Sequence, residues 1–314
     1  MVNYRFLGSS GLKITELVYG NWITHGLQVE NDTATRCVHA ALDAGITSFD
    51  TADAYANGVA EEVLGAALKG QRRESLEVFT KVYWPTGPGG PNDTGLSRKH
   101  IMESIDRSLD RLGFDYLDVY FAHRYDPETP LEETVEAFSD VVRSGRAHYW
   151  GTSMWSPAQI AEAHTFAKAN GLVAPITEQP EYSMLRRSRV EERVLPVTTR
   201  LGLGLVVWSP LAQGLLTGKY DDGVPEGSRF ANFERFREQL LTEENAAKVR
   251  ALRPIADELG VTRAQLALAW VLRQPGVSSV ITGATRVEQL EENVRAATLE
   301  LSPEQLERID EVLG

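Results

Sequence analysis

An acid, a phenol, an amine and an imidazole fall at comparable places along the chain: Asp50, Tyr55, Lys81 and His123. Tyrosine, with a reference pKa near ~10, is a slow proton donor or acceptor at neutral pH. A neighbouring ammonium group favours the phenolate and should lower that value, and a carboxylate keeps the amine charged in a partly dry site. Asp50, Lys81 and Tyr55 supply this chain of effects, and His123 adds a donor that could orient a substrate carbonyl. Each residue also has an ordinary reading. An acid at a strand end is commonly a helix cap, and a loop tyrosine is commonly packing. Lys81 resists that reading, because lysine within an apolar strand is rare unless paired.

The elements that carry the four residues share one pattern. The strand-like run Ile46 to Phe49 follows Gly45 and stops at Asp50, with Tyr55 five residues on in a polar loop before a helical pattern at Ala60 to Leu68. Leu76 to Val82 carries Lys81 near its end, and Tyr116 to His123 finishes on His123. Three successive strands therefore each deliver a functional group at the C-terminal end. In a barrel of parallel strands those ends converge on one mouth, where the active sites of that architecture lie.

The rest of the chain keeps the same rhythm. Tyr4 to Leu7 and Leu12 to Ile14 flank Gly8-Ser9-Ser10-Gly11 and predict a hairpin closing the far end of a barrel. Further strands are expected at Leu17 to Gly20, Ala147 to Gly151, Pro175 to Glu178, Gly204 to Trp208 and Val277 to Ile281, which brings the total to eight. Helical patterns alternate with them. Thr33 to Ala44 places Cys37, Val38, Ala41 and Leu42 on one face, and Ser97 precedes Ile101, Ile105, Leu109 and Leu112, with Gly113 as terminator. Ser156 and Thr262 open capping-box patterns. The open doubly wound alternative would need a Gly-x-Gly-x-x-Gly turn after the first strand, and none is there. The expectation is an α/β chain forming one (β/α)8 TIM barrel over residues 1–314.

Two long loops, Tyr83 to Gly95 and Ser209 to about Leu241, break the alternation and are expected to be unstructured binding loops at the mouth. After the last strand, Gly283-Ala284-Thr285-Arg286 opens a helix with Glu288 completing a Thr-x-x-Glu cap, a ready anion site. Lys219 and Arg229 from the long loop add local basicity, which suggests a phosphorylated cofactor.

Composition limits the classes open to the chain. A net charge of -12 with no long Lys/Arg run argues against nucleic acid as a partner. With 42% hydrophobic and 24% charged residues the chain is ordinary for a soluble globular protein. The single cysteine, Cys37, excludes an intramolecular disulfide and is expected in a core. No apolar run approaches a membrane span, and MVNYRFLGSSGLK lacks the apolar centre of a signal peptide, so a cytoplasmic protein is expected.

FDTADAY, TKV, YFAHR, YWGTS, VVWSPLAQGLLTGKY and GATRVEQLEENV together resemble motifs of the aldo-keto reductases, nearest to the β subunits of voltage-gated potassium channels and their bacterial relatives. The resemblance implies an eight-stranded barrel that binds NADPH without a Rossmann domain and reduces an aldehyde or ketone to an alcohol. In that scheme Tyr55 protonates the oxygen, Lys81 and Asp50 tune it, and His123 positions the carbonyl. Ser153 and Gln179 would hold the nicotinamide amide, with Asn21, Trp22, Asp50 and Trp208 about the ring. Ser209, Pro210, Leu211, Ala212, Gly214, Lys219 and Arg229 would follow the pyrophosphate, and Gly283, Thr285, Gln289, Glu292 and Asn293 the adenosine. Arg229, Thr285 and Gln289 would meet the 2'-phosphate that separates NADPH from NADH.

The chain departs from channel subunits in carrying His123 where they have Asn, which favours catalysis over sensing. Met154 stands for an Arg, Gln213 for a Cys and Gly227 for a Tyr near the cofactor. Trp22, Trp84 and Tyr83, with Tyr55 and His123, are expected to wall a substrate pocket that tolerates apolar or aromatic groups. A cofactor-sensing regulatory subunit bound to a protein partner is the alternative function. A third is a barrel enzyme using Lys81 as a Schiff base, or Asp50, Glu178 and His123 as metal ligands. The resemblance leaves open a ring of four or more chains or a monomer.

Overall fold

Eight parallel strands hydrogen-bond in a closed ring in the computed structural model, which describes residues 2–22, 24–26 and 29–314. A two-stranded antiparallel hairpin comes first, β1 (Tyr4–Phe6) and β2 (Lys13–Thr15). The barrel strands are β3 (Leu17–Gly20), β4 (Ser48–Asp50), β5 (Glu77–Val82), β6 (Leu117–Ala122), β7 (Ala147–Ser153), β8 (Thr177–Gln179), β9 (Gly204–Val207) and β10 (Val277–Thr282). They follow chain order round the ring, and β10 closes it by pairing with both β9 and β3. The expected (β/α)8 barrel is therefore the fold.

Two apolar cores follow from strand alternation. Inside the ring, Val18, Phe79, Val119, Phe121 and Val206 pack together, and Leu7 and Ile14 of the hairpin segment join them from the closed end. Outward residues such as Phe49, Val78, Val82 and Tyr120 join the larger core beneath the helices. At Gly8 the hairpin meets the barrel closely: the backbone is left-handed, and a Cβ there would lie 2.3 Å from the Gly202 carbonyl oxygen.

The helix Arg98–Leu112 shows how the outer layer is specified. Ser97 Oγ accepts from the His100 N–H, Ile101, Ile105, Leu109 and Leu112 fall on its buried side, and left-handed Gly113 ends it. Ser156 and Thr262 form the two expected capping boxes, over Pro157–Ala169 and Arg263–Leu272. Loop 83–95 has neither helix nor strand. The segment after β9 differs from the expectation, because a short 3-10 helix, Ala212–Thr217, and the helices Arg229–Asn232 and Glu234–Leu240 lie within it. Stacked Tyr220 and Phe230, 4.3 Å between ring centroids, tie that segment down.

Among the described residues, no helix is long and apolar enough to cross a membrane.

Candidate active site

Period-two alternation carries five polar side chains to one rim. Ser48, Phe79, Phe121, Gly151 and Thr177 each stand two residues before a polar one, and so on the same strand face: Asp50, Lys81, His123, Ser153 and Gln179. His123 lies just past β6, where its N–H still donates to the Val82 carbonyl. Five neighbouring strands thus contribute one functional group each.

Lys81 is completely buried, and its Nζ donates to Asp50 Oδ2 at 2.7 Å, to the Thr51 carbonyl at 2.6 Å and to the Tyr55 hydroxyl at 3.2 Å. Gln179 Nε2 donates to the other Asp50 oxygen at 2.9 Å. All three Lys81 protons and both Asp50 oxygens therefore have partners, as a buried pair requires. The Tyr55 and His123 rings lie 5.8 Å apart, edge to face. The structure brings together all four residues singled out by chemistry.

Their protonation follows from burial and neighbours. Burial opposes the charge on Lys81, but Asp50 and Tyr55 outweigh it and hold the pKa above its ordinary value. Burial also raises Asp50, against the pull of Lys81 and Gln179. For Tyr55 burial outweighs the lowering effect of Lys81, so the phenol is pushed up, the reverse of the expected direction. His123 is pushed well below its usual range by burial and by the charges of Lys81 and Arg124. At neutral pH the site holds a charged lysine, a protonated phenol and a neutral imidazole.

A strained turn presents Tyr55. Ala56, Asn57 and Gly58 are all left-handed, at φ 48°, 58° and 92°. Such geometry costs a non-glycine residue about 1–2 kcal/mol. Asn57 Oδ1 offsets part of this by accepting from the Gly87 N–H at 2.7 Å, which ties the turn to loop 83–95. The other described non-glycine residues with left-handed φ are Met154, Ser209, Ala212 and Gln213, all in the segments that follow β7 and β9. Strain is concentrated on the mouth, a common property of binding sites.

A cavity of about 940 Å³ opens there. At one end it is lined by Asp50, Tyr55, Trp84, His123, Ser153 and Gln179, and elsewhere by Trp22, Trp208, Ser209, Pro210, Leu211, Gly214, Lys219, Arg229, Gly283, Thr285, Gln289, Glu292 and Asn293. Trp22 packs between Trp208 and Phe236, at 6.5 and 5.9 Å between ring centroids. Two expected cofactor residues stand back from the lining. Asn21 is buried, its Nδ2 donating to the Ala60 carbonyl and meeting His25 Nδ1, and Ala212 is buried in the apolar core. His25 is likewise inside, against Tyr19 and Asn21.

The end of the cavity around Thr285 and Arg229 also differs in detail from its sequence pattern. The last helix of the barrel runs Val287–Ala296 with Arg286 as the residue before it, and Thr285 does not cap it. Instead Gln289 Oε1 reaches back to accept from the Thr285 N–H and hydroxyl, at 2.9 and 3.1 Å. Arg229 Nη1 donates to Gln213 Oε1 at 2.9 Å, and Gln213 Nε2 donates to Ser209 Oγ at 2.6 Å. Two further residues lie on the lining outside the expected set: Ser228, whose buried hydroxyl is unpartnered, and Arg124. Arg124 was detectable in principle as a cation directly after His123. Ser228 carried no signal.

A barrel with this rim matches one class closely. The chain matches the aldo/keto reductase family over residues 16–313 and belongs to that family, which supports oxidoreductase chemistry. It is 49% identical to a probable voltage-gated potassium channel subunit beta of Arabidopsis thaliana, over 99% of this chain and 97% of that protein. A protein of the same description from Oryza sativa subsp. japonica is equally similar, with the same coverage. A putative voltage-gated potassium channel subunit beta of Schizosaccharomyces pombe is 46% identical over all of this chain and 94% of that protein.

Aldo/keto reductases generally use a nicotinamide dinucleotide, and the residues present fit one. The cavity sets Lys219 and Arg229, neither paired with a carboxylate among the described residues, beside the orphaned Ser228 hydroxyl. Unsatisfied donors of this kind suit phosphate oxygens.

Proposed function

We propose that this protein is an NADPH-dependent reductase of aldehydes or ketones in which Tyr55 is the general acid. The observation that carries the reading is the 3.2 Å contact between Lys81 Nζ and the Tyr55 hydroxyl at the wall of the cavity. When bound, the reduced nicotinamide supplies a hydride to the carbonyl carbon. The Tyr55 hydroxyl donates its proton to the carbonyl oxygen as negative charge develops there. Lys81 steadies the phenolate left behind, and Asp50 keeps Lys81 charged. Neutral His123 offers a ring N–H to the same oxygen and fixes its direction. Ser153 and Gln179, on the same rim, would orient the nicotinamide amide. Ser209, Pro210, Leu211, Gly214 and Lys219 would hold the diphosphate, and Arg229, Thr285 and Gln289 the 2'-phosphate.

The state of Lys81 also separates this reading from a Schiff-base enzyme. A fully paired ammonium with a raised pKa is a poor nucleophile. Among the described residues, no group of three or more His, Cys, Asp or Glu is arranged to hold a metal.

A second reading, an NADPH-sensing regulatory subunit with slow turnover, draws its support from what the relatives are called. NADPH oxidation with small aldehydes, measured beside NADPH binding by fluorescence quenching, distinguishes the two. Tyr55→Phe should keep binding within a few-fold and lose roughly 10²–10⁴ in turnover. Tight binding with negligible turnover in both proteins would favour the sensor. An unimpaired Tyr55→Phe enzyme would remove Tyr55 from its role.

A further inference from the structure

Arg124 is a cation on the cavity lining that the reductase reading leaves without a task, and it stands apart from Lys219, Arg229 and Arg286. It follows His123 directly and shares the lining with Tyr55, His123, Trp84 and Pro85. Its Nη1 donates to the His123 carbonyl oxygen, and it forms no ion pair with a carboxylate among the described residues. A half-buried guanidinium has lost much of its water, and here most of its five N–H donors have no partner in the protein.

Topology sets this cation apart from the others. In the ring order β10-β3-β4-β5-β6-β7-β8-β9, the end of β6 is four strands from β10 in either direction. Arg124 therefore stands across the mouth from Arg286, which follows β10, and three strands from β9, whose loop brings Lys219 and Arg229. Those three cations lie on the side assigned to the cofactor phosphates. Arg124 lies at the carbonyl end, beside the proton donor.

We propose that Arg124 recognises an anionic group, a carboxylate or a phosphate, carried by the carbonyl substrate itself. The inference rests on the reductase reading and narrows its substrate class to short oxo acids or aldehyde phosphates. A chain with net charge -12 repels such substrates at long range, so a local cation is needed to hold one. The planar fork of arginine suits a bidentate carboxylate or phosphate. Trp22 and Trp84, both partly exposed, would flank the intervening carbon atoms.

The test compares matched substrate pairs in NADPH oxidation: 4-oxobutanoate against butanal, and glycolaldehyde phosphate against glycolaldehyde. In the wild type kcat/KM for the charged member should exceed that of its neutral partner by roughly 10–100-fold, the effect of a charge-assisted hydrogen bond. The pair with the larger ratio identifies carboxylate or phosphate. Arg124→Gln should bring the ratio to about one, mainly through KM, and Arg124→Lys should keep part of it. NADPH binding in both variants, by fluorescence quenching, confirms a folded cavity. Equal ratios in wild type and Arg124→Gln, with neutral aldehydes reduced normally, overturn the inference and leave the reductase reading standing. No reduction of any aldehyde by the wild type removes both.

Discussion

Replacing Asp50 with Asn tests the charge relation on which the site depends. Lys81 has a side-chain exposure of 0% and Asp50 of 4%, so the substitution leaves a buried ammonium without its counter-charge. Breaking a buried pair in this way costs about 3–5 kcal/mol. For a chain of this length that corresponds to a fall in Tm on the order of 5–10 °C. The pH dependence is more diagnostic than the size. In the wild type the folded pKa of Lys81 is raised above 10.5, so its contribution is complete below that value and is lost only as pH rises through the higher one. Without Asp50, burial remains as the largest influence and lowers the folded pKa. The unfolded chain then binds more protons, and stability of the variant rises with pH by up to about 1.4 kcal/mol per pH unit. Thermal melts of wild type and Asp50→Asn from pH 7 to 10 should therefore converge. Adding Lys81→Met should recover much of the loss, because no buried charge remains. An Asp50→Asn protein that melts within about 2 °C of the wild type, with a parallel pH profile, would refute the reasoning.

Further outcomes can be checked independently. Burial lowers the pKa of His25 from 6.5 to about 4, so the folded state favours the neutral ring. Its contribution of about 3 kcal/mol is present above pH 6.5 and is lost as pH falls toward 4, and His25→Gln should flatten that part of an acid-stability curve. Arg229 is held in place by Gln213 and lines the anion end of the cavity. Arg229→Gln should weaken NADPH binding roughly 10–100-fold and NADH binding far less, read by titration of each cofactor. Burial and the charges of Lys81 and Arg124 hold His123 well below its ordinary value, so it should produce no inflection in kcat between pH 7 and 8; an inflection there that vanishes in His123→Asn would show otherwise.

The sequence made the rim readable because each group ends a strand of clear pattern. Asp50, Lys81 and His123 were legible as strand ends, whereas Ser153 and Gln179 came only through the family resemblance, although both prove to lie on the same strand face. What it could not supply depended on tertiary contact. The helices Arg229–Asn232 and Glu234–Leu240 are too short for a periodic signal and are held by packing such as Phe236 against Trp22. The Thr-x-x-Glu pattern at Thr285 fits a cap, yet Gln289 takes the Thr285 donors instead. The neighbouring Lys81 predicts an acidified Tyr55, and burial, invisible in the sequence, reverses the sign. Asn21 belongs to a loop near the mouth, but its side chain turns inward to Ala60.

The central claim, hydride transfer to a carbonyl with Tyr55 as proton donor, is tested most directly by a single turnover with NADPH dideuterated at C4 of the nicotinamide. The predicted result is one deuterium on the former carbonyl carbon of the alcohol, formed rapidly by the wild type and roughly 10²–10⁴ times more slowly by Tyr55→Phe. An alcohol without deuterium, or bound cofactor that stays reduced in the presence of every aldehyde, would contradict it.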